Sequence, residues 1–186
     1  MTRLATASGA AALAIVAAIA PTPVGASLTA PTIVQCGERE YVVGLNGRTG
    51  LWIDAAGPIC ARWDDRTLLS VPGRPRRLVG GRGGGSNAQS CPAGSAISAW
   101  RAESIIQGDA AFADRVSVQC RTLAPPHDVT AAAVLFGGQN QLRRGGQPRV
   151  GRCPEGELAT GVSVWTNHDG RFVIDVAMRC GRAPAG

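Results

Sequence analysis

Few residues in this chain have the types that acid–base or metal chemistry needs. Asp64 and Asp65 are adjacent, and paired carboxylates can serve as acid and base across a glycosidic bond. Neighbours along a strand point to opposite faces, so these two would not meet one substrate. Beside Arg62 and Arg66 they read as a solvated loop. His127 and His168 are the only histidines, and no Gly-x-Ser-x-Gly or comparable nucleophile motif accompanies either. Asn167-His168-Asp169-Gly170 has the composition of a hairpin turn, and Pro125-Pro126-His127-Asp128 that of a connecting loop. A zinc site would call for Cys-x-x-Cys pairs, and there is none. The chain is therefore read as non-catalytic, without metal or cofactor.

A different stretch recurs. NGRTGLWIDAAGPIC, residues 46–60, places Gly50 and Asp54 in a Gly-x-x-x-Asp spacing and closes on Cys60. Related runs precede two other cysteines: FADRVSVQC before Cys120 and VIDVAMRC before Cys180, with Asp114 and Asp175 where the first run has Asp54. The openings are related too, CGEREYVVGLNG at Cys36, CPAGSAISAWRA at Cys91 and CPEGELATGVSVWT at Cys153. Pro and Gly just after a cysteine favour a turn. Self-similarity at a period of roughly 60 residues is the signature of a repeat architecture.

These units must be built of strands. RVSVQC and GVSVW alternate small polar with apolar residues, as half-buried strands do. Glycine-rich stretches at residues 78–86 and 135–147 lie between the units, and glycine at that density breaks helices and permits close backbone approach. TAAAVLF, residues 130–136, could be helical by composition, but its place before a Gly-Gly makes it a strand. The approximate repeats are residues 33–77, 78–129 and 130–182. Pairing Cys36–Cys60, Cys91–Cys120 and Cys153–Cys180 is the only one of 15 connectivities that gives three equivalent units the same bond.

The first 26 residues stand apart. One charge, Arg3, precedes an uncharged alanine-rich run, and Val24-Gly25-Ala26 offers a small-residue cleavage site. The run is shorter than the ~20 residues of a spanning helix, so it is read as a cleaved signal peptide. The mature chain, residues 27–186, would be a single domain without a membrane span, secreted, periplasmic or extracellular. An even cysteine count in an exported chain fits disulfides. Every basic residue is arginine; without Arg3 there are 18 against 13 carboxylates, a charge of +5. Arginine-preferring bacterial codon usage would account for most of that, with attraction to anionic polysaccharide or phosphate as the functional alternative. The one dense cluster, Arg74-Pro75-Arg76-Arg77, has no interleaved aromatics, so nucleic acid is not an expected partner.

Two family patterns overlap on these residues. CPAGSAISAWRAESIIQGDAAFADRVSVQC resembles the repeat of the vitelline membrane outer layer protein family, which opens on Cys-Pro-x-Gly, passes a Gly-Asp and closes on an alternating strand and Cys. CPEGELATGVSVW resembles the start of the same repeat, whereas GLNGRTGLWIDAAGPIC is similar to the Gly-Arg-Ser-Gly-x-x-x-Asp segment of jacalin-related lectins. Both resemblances imply an all-β fold, the β-prism, in which three Greek-key sheets surround a pseudo-threefold axis.

The lectin resemblance implies a glycan held between the Gly-x-x-x-Asp loop and a Gly-Gly loop, here Gly50, Asp54, Gly80 and Gly81. A pyranose presents adjacent hydroxyls, and a carboxylate is their natural bidentate acceptor while bare glycine backbone donates. Trp52 either stacks on the sugar or packs into the core, where Phe112 and Val173 hold its place in the other units. The spacings from Gly108 to Asp114 and from Gly170 to Asp175 are longer, so a single sugar site is expected. The vitelline membrane resemblance implies the alternative, an envelope or extracellular-layer module with a protein partner, in which the aspartates only cap turns.

Overall fold

The computed structural model describes residues 30–64, 69–70, 73–124, 128–129, 133–138 and 145–183. The expected signal peptide, Asp65, Arg66 and His127 lie outside the described residues. Thirteen strands and no helix occur among those described. In chain order they are β1 (Thr32–Gln35), β2 (Glu40–Thr49), β3 (Ile53–Asp64), β4 (Leu69–Ser70), β5 (Arg74–Pro75), β6 (Val79–Gly80) and β7 (Gly85–Ser90). There follow β8 (Ser95–Gln107), β9 (Ala110–Thr122), β10 (Val134–Gly137), β11 (Arg149–Arg152), β12 (Glu157–Thr166) and β13 (Val173–Arg182).

Three long antiparallel hairpins, β2–β3, β8–β9 and β12–β13, are the centres of three sheets. The first runs β4-β3-β2-β7 with β5 and β6 also on β3, the second β10-β9-β8-β11, and the third β1-β12-β13. The glycine-rich stretches do not float between units. Val79–Gly80 and Gly85–Ser90 pair back onto the first hairpin, and Val134–Gly137 pairs with β9. Val134–Gly137 is a strand, as read for the end of TAAAVLF.

The inner faces of all three hairpins meet in one apolar core. Leu45 and Ile53 from the first, Ile97 and Val116 from the second, and Val162 and Val176 from the third are almost wholly buried there. Phe136 of β10 joins them against Gly47, where any side chain would collide with its ring. A smaller cluster closes one end, with Tyr41, Ile59, Trp63 and Leu158 among its members.

Each hairpin carries two bulges at corresponding places. The first leaves Val43, Ser98 and Thr160 without a partner in the ladder. A bulge turns a carbonyl out of the ladder, and these accept the N–H groups of Cys91, Cys153 and Cys36 at 2.7, 2.8 and 2.9 Å. The disulfides are Cys36–Cys60, Cys91–Cys120 and Cys153–Cys180, as the symmetry of the spacing predicts. Each joins two sheets. Cys36 follows β1 of the third sheet and bonds β3 of the first; Cys91 follows β7 of the first and bonds β9 of the second; Cys153 follows β11 of the second and bonds β13 of the third. Three bonds thus close a ring around the axis.

Candidate functional site

The second bulge of each hairpin builds the site. Arg48 faces Ala55 and Thr49 faces Ile53, so Asp54 is pushed out of the ladder. Asp114 is displaced in the same way, between Arg115 and Ala113. The freed carbonyls are taken up alike, Asp54 O accepting from Gly81 N–H at 2.8 Å and Asp114 O from Gly138 N–H at 2.7 Å. Gly80 at φ +125° and Gly137 at φ +79° let the chain turn close to these carbonyls.

In the third hairpin the displaced residue is Ile174, because Trp165 pairs with Asp175 and Thr166 with Val173. Asp175, expected at the place of Asp54, therefore lies one residue beyond it. Asp175 lies in the ladder and forms an ion pair with Arg149, Nε to Oδ2 2.5 Å, while its Oδ1 accepts the Val176 N–H at 2.8 Å. Arg149 also stacks over the Trp165 ring at 4.9 Å. The same one-residue offset makes Phe172, not Val173, the counterpart of Trp52 and Phe112. Val173 is fully buried in the core, as is Ile53.

Trp52, Phe112 and Phe172 meet at the end of the prism that carries these loops. Trp52 stacks on Phe112 with centroids 4.5 Å apart, and Phe172 sets its edge against both at 5.5 Å. One ring from each hairpin therefore closes this end, and one face of Trp52 is occupied by Phe112.

The loop at residues 50–52 is tight, with Gly50 N–H donating to Trp52 O at 2.9 Å. Asp54 is 6% exposed, and its carboxylate lies against main chain without side chains. A Cβ on Gly83 would strike Oδ1, one on Gly84 would strike Oδ2, and one on Gly50 would sit 3.7 Å from Oδ2. Arg48 pins this glycine segment, its Nε donating to Gly83 O at 2.7 Å and its Nη2 to Gly84 O at 2.6 Å. Burial raises the Asp54 pKa above the ordinary aspartate value, and the Arg48 charge opposes that rise.

Gly50 and Asp54 thus come together. Gly80 and Gly81 contact the Asp54 main chain, while Gly83, Gly84 and Arg48 border its carboxylate, and the sequence reading passed over these three. The run GGRGGG held the signal, but composition does not say which glycines of a run face a side chain. Elsewhere, His168 is fully exposed on a turn in which Asn167 Oδ1 accepts from Arg171 N–H and Phe172 N–H at 2.8 and 3.1 Å.

No protein-family model matches the chain, and no curated protein does. Among solved structures, a prostate-specific WGA16 glycoprotein lectin superposes at a TM-score of 0.53, with 13% identity, over 86% of this chain and 96% of that one. The fold is a β-prism. Malaysian banana lectin (TM-score 0.48, 13% identity, 84% of this chain and 99% of that one) and Calystegia sepium agglutinin (0.48, 11%, 83% and 99%) are similar at lower scores.

Proposed function

We propose that this protein is an exported, non-catalytic carbohydrate-binding protein with one site, in which Asp54 accepts hydrogen bonds from sugar hydroxyls. The observation that carries the reading is the setting of the Asp54 carboxylate, held against Gly50, Gly83 and Gly84 with Arg48 fixing the glycine carbonyls. Bare backbone lets a ring approach closely, and a desolvated carboxylate gains more from each hydroxyl than one in water. The site is unique by chemistry, because the third hairpin has Ile174 at this position and Asp114 is fully buried. Three disulfides fit an extracellular location. Gly50, Gly80 and Gly81 then serve the backbone, and Trp52 belongs first to the ring cluster.

A second reading, a structural or protein-interaction module of an envelope or extracellular layer, is favoured by one observation. The Gly138–Asp114 contact repeats the Gly81–Asp54 contact in a hairpin without lectin loop spacing, as a purely structural aspartate would. A glycan array probed with residues 27–186 and with the Asp54→Asn variant separates the two. Binding that the variant loses supports the lectin; no binding by the folded, oxidised protein supports the module.

A further inference from the structure

The basic segment that precedes the glycine loop has a definite course on the first sheet. From Asp65 to Glu103 the intervening sequence holds no carboxylate and six arginines. Arg74 pairs opposite Cys60, Arg76 N–H donates to Pro58 O, the Arg77 carbonyl lies over Gly57, and Gly80 pairs opposite Ala55. The segment therefore runs antiparallel along β3 and ends where Gly81 meets Asp54. The six residue steps along β3 from Cys60 to Asp54 span about 20 Å.

The arginines of this edge are not equivalent. Arg76 is neutralised by Glu40 in an ion pair. Arg74, Arg77 and Arg82 are exposed, and Arg82 sits between Gly81 and Gly83 at the mouth of the Asp54 site. Arg171 is also exposed, and its carbonyl packs against Gly81, which brings a further arginine to the same mouth. Of the acids on this sheet, Glu40 is held by Arg76, Asp54 is buried, and Asp64 ends β3 beyond the stretch that the segment follows.

From this course we infer that the edge carrying Arg74, Arg77 and Arg82 binds a linear anionic polysaccharide, one bearing carboxylate or sulfate groups, and leads it toward the Asp54 loop. Guanidinium forks match both oxyanions bidentately. Several exposed cations over about 20 Å suit a polymer with repeating charges better than any single sugar. The inference deepens the carbohydrate reading and rests on it for the class of ligand.

Its test uses dextran sulfate and polygalacturonate as the anionic probes, with neutral dextran beside them. Three proteins are compared with wild type near physiological salt. One is the edge triple Arg74→Ser/Arg77→Ser/Arg82→Ser, one the charge-matched triple Arg152→Ser/Arg179→Ser/Arg182→Ser on the other sheets, and one Asp54→Asn. The expected result is tight binding of at least one anionic polymer, weakened tenfold or more in the edge triple, little changed in the matched triple, and reduced by added salt. Equal loss in both triples would mean that net charge alone attracts the polymer, and would overturn the inference. So would failure of the wild-type protein to bind either polymer. Failure of the sugar reading shows differently: Asp54→Asn would then bind every neutral glycan on the array as wild type does.

Discussion

Asp54 and Ile174 occupy the same bulged position in their hairpins, and only the first is a carboxylate. A carboxylate in a buried bulge carries an electrostatic cost; the third hairpin folds without one, and the second keeps Asp114 fully buried there. The site therefore makes predictions that separate stability from binding.

Asp54→Asn should raise the melting temperature at neutral pH. Burial lifts the folded-state pKa of Asp54 above the ordinary 3.8, so the folded state binds the proton more tightly than the unfolded state. Stability from this group is complete below that ordinary value and is lost as pH rises through the raised one. Thermal melts across the acid range should show the variant ahead at pH 7 and the gap closing as the pH falls. A variant less stable than wild type at pH 7 would make Asp54 a structural cap.

Gly83→Ala and Gly80→Ala should fail in different ways. A methyl on Gly83 meets only the end of the Asp54 side chain, so sugar binding should fall tenfold or more while stability drops by under about 1.5 kcal/mol. A methyl on Gly80 meets the Asp54 main-chain carbonyl at φ +125°, and a cost above about 2 kcal/mol is expected. Denaturant titration alongside a binding assay distinguishes them.

The ring cluster should couple the hairpins. A double-mutant cycle with Trp52→Ala and Phe112→Ala is expected to return about 0.5–1.5 kcal/mol of interaction from their stacking. A coupling near zero would leave these rings as independent covers of the core.

Much of this was legible in the chain before its fold was known. Three cysteine pairs of similar spacing implied one shared pairing, and alternating runs such as RVSVQC implied strands, because symmetry and period two both leave marks on residue type. The bulges left none. An extra residue in a ladder has no side-chain signature, so Asp175 was aligned with Asp54 and Val173 with Trp52. The same limit hid Gly83 and Gly84 behind Gly80 and Gly81, since four glycines of one run differ in contacts and not in kind. That the disulfides join neighbouring sheets was equally unmarked, because spacing reports which cysteines correspond and not which strands flank them.

Replacing one cysteine pair by serine should cost about 3 kcal/mol by the chain-entropy estimate for loops of 24, 29 and 27 residues. Because each bond closes a different junction between sheets, the three costs should be nearly additive in chemical denaturation. Loss of all order on removing a single bond would mean that the ring of sheets does not hold by packing.

A bound sugar must bring its hydroxyls to the Asp54 carboxylate. The most direct test of this is an amide NMR titration of residues 27–186 with millimolar neutral monosaccharides. Saturable shifts are expected at Gly50, Asp54, Gly83 and Gly84, and none in Asp54→Asn. Shifts confined to another sheet, or none with any sugar, would contradict it.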